Sequence, residues 1–210
     1  MKIGEMLKLG VVLAAFATAA CVGLAFVYAG TAKTIAVRSQ ADLESALREL
    51  FPEAEDFVEI TGTINSDAPA VKFGSEYEIQ RAGETLGVAI RAEGIGFNGA
   101  LTVLVGVDAA GTISGAKILE HAETPGLGAN AASPGYYVNK PAGVTFMGQY
   151  AGKPVTDPFV PKNDIIAITA ATITSRGVSD TVKAAGLAGA AYLAGDGPAE
   201  NGLAQEGGNE

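Results

Sequence analysis

No charged residue interrupts the chain between positions 9 and 30. About twenty apolar residues rising 1.5 Å each reach across the roughly 30 Å hydrocarbon core of a bilayer, where a helix satisfies its own backbone hydrogen bonds. The run therefore predicts a membrane-crossing helix over residues 9–30, preceded by a short N-terminus over residues 1–8. A cleaved signal peptide is the alternative, but its apolar core usually runs only about 7–15 residues before a small-residue site. Cys21 follows Thr18-Ala19-Ala20 as a lipidated cysteine would, yet the apolar run continues through residues 22–27. It reads as a small hydrophobe within the membrane. Lys2 and Lys8 on one flank balance Lys33 and Arg38 on the other, so the basic residues do not orient the span.

The remainder is the size of one domain. With 210 residues, 48% of them hydrophobic and no Trp, the chain can bury one ordinary core after the anchor is set aside. A net charge of -9 argues against nucleic acid, whose phosphates call for basic patches. The single Cys leaves a domain outside the span no internal disulfide and no thiolate cluster for zinc or iron–sulfur. From position 194 to 210 the chain is rich in Gly and carries Asp196, Glu200, Glu206 and Glu210 without a base. Such a stretch buries too little to offset its ordering entropy, and disorder is expected there. The globular domain is thus expected over residues 31–193.

Within that domain the periodicity changes. Residues 39–51 begin with Ser39 and place Leu43, Ala46, Leu47 and Leu50 on one stripe, an amphipathic helix stopped by Pro52. From Val71 short β-like runs follow one another, over residues 71–73, 77–79, 86–92 and 101–107. A turn at Asp108-Ala109-Ala110-Gly111 returns the chain along residues 112–119. An antiparallel meander is the economical arrangement, and with helices before and after it the fold class is α+β. Gly94-Ile95-Gly96-Phe97-Asn98-Gly99 has the spacing of a dinucleotide fingerprint, but a strand follows where that fingerprint demands a helix. These glycines read as a turn between strands.

Two segments carry candidate chemistry. Ile168-Thr169-Ala170-Ala171-Thr172-Ile173-Thr174-Ser175 precedes an apolar helix, and a helix start offers outward N–H groups and partial positive charge to a phosphate. On spacing alone it reads as well as a β-branched strand running into an N-cap at Thr174 or Ser175. His121-Ala122-Glu123-Thr124-Pro125-Gly126-Leu127-Gly128 follows a strand, and its Pro-Gly pair enforces a turn that presents Thr124 and Leu127. That loop could equally be a hairpin turn holding a satisfied histidine. His121 and Glu123 without a second His or a Cys nearby are a poor metal set, and neither metal nor acid–base catalysis is assigned to them. Tyr136, Tyr137, Phe146 and Tyr150 lie between the two segments, where core and interface roles are commoner than stacking on a ligand.

These motifs resemble the FMN-binding domain family. Residues 169–174 resemble its Ser/Thr-Gly-Ala-Thr-x-Ser/Thr motif, with Ala170 in place of the usual Gly and the family's upstream Asp position occupied by Ile166, the nearest carboxylate being Asp164. Residues 121–128 match a His-x-Glu-Thr-Pro-Gly-Leu-Gly signature completely. The turn at 94–99 and the Phe51-Pro52-Glu53-Ala54 segment have family counterparts, and all four stand in family order. The resemblance narrows to the G subunits of Rnf complexes, related to the C subunits of sodium-pumping NADH:quinone oxidoreductases. It implies FMN attached by a flavin transferase through a phosphoester to Thr172, with Thr174 as the fallback. Thr169, Ala170, Ala171, Thr174, Ser175, Glu123, Thr124, Gly126, Leu127 and Gly128 are the further residues implied to hold it. It also implies a cytoplasmic N-terminus, an extracytoplasmic domain, and multi-spanning and iron–sulfur subunits as partners in an ion-translocating electron-transport complex. The alternatives are an extracellular flavoprotein reductase acting outside a complex and an envelope binding module without flavin.

Overall fold

The computed structural model describes residues 3–60 and 62–195, and the chain divides into two compact units at residues 44 and 45. Helix α1, Ile3–Leu50, passes through that division without a break. The expected span and the expected amphipathic helix are thus parts of one continuous helix, because no Gly-Pro pair or capping sequence in residues 31–38 stops it. Its apolar portion reaches a mean hydropathy of 2.3, is exposed throughout, and is long and apolar enough to cross a membrane.

The second unit is built on a five-stranded antiparallel meander: β1 Asp56–Glu59, β2 Lys72–Arg81, β3 Glu84–Ile95, β4 Ala100–Asp108 and β5 Ile113–His121, ordered as in sequence. The two short runs around Phe73 and Tyr77 form one strand, bulged between Phe73 and Glu76. The turn after β4 is closed by Asp108, whose Oδ1 accepts the N–H groups of Ala110 and Thr112 at 2.9 Å, with Gly111 at φ +75°. Strands β6 (Tyr137–Asn139) and β7 (Val144–Thr145) form a separate small hairpin, and helix α2, Thr172–Leu193, closes the domain.

Strand β4 is buried at every position from Leu101 to Val107 because both faces of the sheet are covered. On one face α2 lies against Val88, Ile90 and Val107 at Gly189, and its Gly177 sits against the Ile95 backbone of β3. On the other, Phe51 nests against Gly87 and Gly106, where a Cβ on either glycine would overlap its neighbours. The apolar core joins strands β3, β4 and β5 to α2 and to a buried aromatic set. In that set Phe146 and Tyr150 pack edge to face at 5.9 Å, and Tyr150 and Phe159 at 5.7 Å. Burial drives the Tyr150 hydroxyl well above its ordinary pKa, so it stays protonated, paired with Ser179 Oγ at 2.8 Å.

The first turn of α2 departs from expectation. The helix begins at Thr172, three residues before Ser175, and Ala171 at the cap position makes no side-chain cap bond. Residues 168–171 form a turn and no strand, with Ala171 N–H donating to the Ile168 carbonyl at 3.0 Å and Ala170 at φ +61°. Ser175 is neither cap nor strand residue: it is fully buried inside the helix, where its hydroxyl bonds to the turn. Of the expected acidic tail, residues 196–210 lie outside the described residues.

Candidate flavin site

Three segments distant in sequence meet at one end of the domain. The β3–β4 turn is closed by Gly96 N–H donating to the Gly99 carbonyl at 2.8 Å, which leaves Phe97 at its tip and 65% exposed. After β5 the Pro-Gly loop turns through Gly126 at φ +76°, a conformation that costs glycine little. Its closing bonds are Leu127 and Ala129 N–H to the Thr124 carbonyl, and Asn130 Nδ2 to the Gly126 carbonyl at 2.9 Å. The loop runs into a turn of 3-10 helix, Gly128–Ala132. The third segment is the start of α2.

Glu123 joins all three. Its carboxylate is buried, and Oε1 accepts the N–H groups of Phe97 at 2.7 Å and Asn98 at 3.2 Å, while Oε2 accepts the Thr174 hydroxyl at 2.8 Å. Asn98 Nδ2 also donates to the Ala122 carbonyl at 2.9 Å. Gly96 and Gly128 flank the carboxylate so closely that a Cβ on either would run into it. A charged acceptor with three donors offsets its own desolvation, which makes Glu123 the fastener of this end of the domain.

Around that fastener lies a cavity of about 360 Å³, within the range of small-ligand pockets. Glu123, Thr124, Leu127 and Gly128 line it from the Pro-Gly loop, and Ala170, Ala171, Thr172, Ile173 and Thr174 from the helix start, with Phe97 completing the wall. Thr172 is half-buried and also lines a neighbouring cavity of about 470 Å³ with residues 162–170. The N–H groups of Thr172, Ile173 and Thr174 belong to the first helical turn and so have no intrahelical acceptor. Phe97, Leu127 and Ile173 are exposed apolar side chains at the rim.

Most of the residues expected from sequence are therefore together. Thr169 lies outside this cavity, lining the neighbouring one, and Gly126 shapes the loop without lining it. Ser175 is buried behind the wall, and Thr174, 1% exposed as a residue, commits its hydroxyl to Glu123. His121 is exposed, and its Nδ1 accepts the Glu123 N–H at 3.2 Å. Asp164 spends both carboxylate oxygens on the N–H groups of Phe159 and Val160, at 2.9 and 2.6 Å. Sequence reasoning missed Phe97 and Ile173. The glycine-flanked turn pointed to Phe97, but only the Glu123 bonds bring that turn to the cavity.

Comparison with known proteins shows the family of the chain. Residues 96–186, which contain all three cavity segments, match the FMN-binding domain family, and residues 1–50 match the RnfG N-terminal region. The G subunit of the ion-translocating oxidoreductase complex of Vibrio atlanticus is 34% identical over 191 residues, covering 85% of this chain and 87% of the relative. This chain belongs to that family of G subunits. The G subunit of the Na(+)-translocating ferredoxin:NAD(+) oxidoreductase complex of Acetobacterium woodii is 30% identical over 192 residues, covering 83% of this chain and 87% of the relative. Among solved structures, that of Shewanella oneidensis NqrC aligns with a TM-score of 0.44 at 18% identity, covering 65% of this chain and 80% of that one. The family match over residues 96–186 includes every residue that lines the cavity.

The residues present fit FMN. A flavin phosphate calls for N–H donors and positive potential, which an uncapped helix start supplies, and the isoalloxazine calls for apolar surface beside polar groups. Phe97, Leu127 and Ile173 supply the first, and Thr124 with the loop backbone the second.

Proposed function

We propose that this G subunit relays electrons within an ion-translocating complex of the ferredoxin:NAD oxidoreductase type, through FMN joined by a phosphoester to the Thr172 hydroxyl. One observation carries the reading: Thr172 opens the uncapped first turn of α2 and lines the cavity that the Glu-Thr-Pro-Gly-Leu-Gly loop lines from the opposite side. Bound FMN supplies one- and two-electron redox chemistry that no side chain here provides.

The chain's own residues do the holding. The free N–H groups of α2 bind the phosphate oxygens, Ala170 and Ala171 leave the backbone accessible, and Phe97, Leu127 and Ile173 exclude water from the ring system. Thr174 is a poor acceptor because its buried hydroxyl is held by Glu123. Attachment needs an activated donor, since condensing a hydroxyl with a phosphate monoester in water is unfavourable. In our reading a flavin transferase uses a flavin dinucleotide. The Thr172 Oγ–phosphorus bond forms, the phosphoanhydride breaks, nucleoside monophosphate leaves with the electron pair, and the hydroxyl proton passes to a base on the transferase. No residue of this chain is assigned acid–base work.

The helix over residues 9–30 crosses the membrane in this reading, with the domain outside the cytoplasm and multi-spanning and iron–sulfur subunits as its partners. A tether is useful there, because free FMN lost from the site is not replenished. The test is to produce the full chain with its transferase and measure visible flavin absorbance and intact mass. The expected result is a yellow protein heavier by one FMN ester, with both signals lost in Thr172→Ala. A colourless wild-type protein would overturn the proposal.

A further inference from the structure

The acceptor turn is bent against its own preference. Ala170 sits at φ +61°, a left-handed conformation that is strained for a residue with a Cβ. Something must hold the turn in that shape, and the buried hydroxyl of Ser175 touches it at both ends. Ile168 N–H donates to Ser175 Oγ at 3.0 Å, and Ser175 Oγ–H donates to the Ala171 carbonyl at 2.9 Å. The turn's own bond, from Ala171 N–H to the Ile168 carbonyl at 3.0 Å, closes the ring. Ile168 is 1% exposed and Ser175 fully buried, so water does not replace these bonds if they are lost.

We infer that Ser175 is a positioning residue for flavin attachment: without contacting the flavin, it fixes the 168–171 turn so that Thr172 opens the helix with its hydroxyl presented for transfer. This rests on the reading of Thr172 as the acceptor. Ser179 supplies a matched control one helical turn further on. It too is fully buried, donating to the Ser175 carbonyl at 2.9 Å and meeting the Tyr150 hydroxyl, but it does not touch the acceptor turn.

The experiment measures the initial rate of covalent flavin transfer to purified full-length chain in detergent, using a flavin transferase and flavin adenine dinucleotide, for wild type, S175A, S179A, A170G/S175A and T172A. S175A is expected to slow labelling about tenfold, as a misplaced nucleophile does. S179A should label near the wild-type rate despite losing a comparable buried bond. Glycine relieves the left-handed strain, so A170G/S175A should label faster than S175A. Amide exchange gives an arm that needs no variant to fold: the Ile168 amide of wild type should be protected. Equal labelling of S175A and S179A, no recovery in A170G/S175A, or an Ile168 amide exchanging as fast as open loop would overturn the positioning role. Flavin retained in T172A would overturn the acceptor reading itself, and this proposal with it.

Discussion

Two loops face one cavity and reach their shapes by opposite means. The Pro-Gly loop places its left-handed residue at Gly126, where the backbone adopts φ +76° without a steric penalty, and its closing bonds are mostly backbone bonds. The turn over residues 168–171 puts Ala170 at φ +61° and is held by the side chain of Ser175. The first shape is written into its own residues. The second depends on partners, which makes the helix-start side of the cavity the one most sensitive to remote substitutions.

That contrast can be broken from several directions. The largest effect is expected for Thr172→Ala, which should abolish covalent flavin while changing the melting of the full chain little, because Thr172 stands at N1 and caps nothing. Intact mass and thermal denaturation check both halves. Gly128→Ala should follow, since its Cβ would collide with the Glu123 carboxylate and the Thr174 hydroxyl. Overpacking of that kind costs about 1–3 kcal/mol, read as a lowered denaturation midpoint together with weaker FMN binding. Thr174→Val removes one donor from a buried carboxylate and should cost about 1.5–3 kcal/mol. It should still yield flavin on position 172, and a colourless T174V protein that remains folded would point to Thr174.

A smaller effect has a defined pH window. Glu78 is held below the usual glutamate value of 4.5 by hydrogen bonds from Thr85 at 2.6 Å, Gln80 at 2.9 Å and Tyr192 at 3.0 Å. A depressed carboxylate pKa stabilises the fold above the unfolded-state value and ceases to do so as pH falls through the folded-state value. Wild type should therefore exceed Glu78→Gln in melting temperature above about pH 5, with the gap closing below the ordinary glutamate value. A gap that persisted into strong acid would contradict the assignment. The smallest effect belongs to Ala170→Gly, which should stabilise by about 1 kcal/mol or less once the entropy of the unfolded glycine is subtracted.

The same contrast explains what could be read before folding. Strands β2 to β5 were legible because their apolar runs and the turns at Gly99 and Gly111 are local signals. The Pro-Gly loop was legible for the same reason. The start of α2 was not, because a left-handed Ala170 and a hydroxyl reaching back from Ser175 to Ile168 are tertiary facts that no propensity records. Phe97 was hidden likewise, brought to the cavity by a carboxylate 26 residues further along the chain. Edge strand β1, with only partial burial, left no period to read.

The point of flavin attachment is the claim on which the electron-relay reading depends. Proteolysis of the full chain matured with its flavin transferase, followed by fragmentation of the yellow peptide, should place one FMN phosphoester on Thr172. An ester on Thr174 or Thr169, or flavin released intact on denaturation with every peptide unmodified, would contradict it.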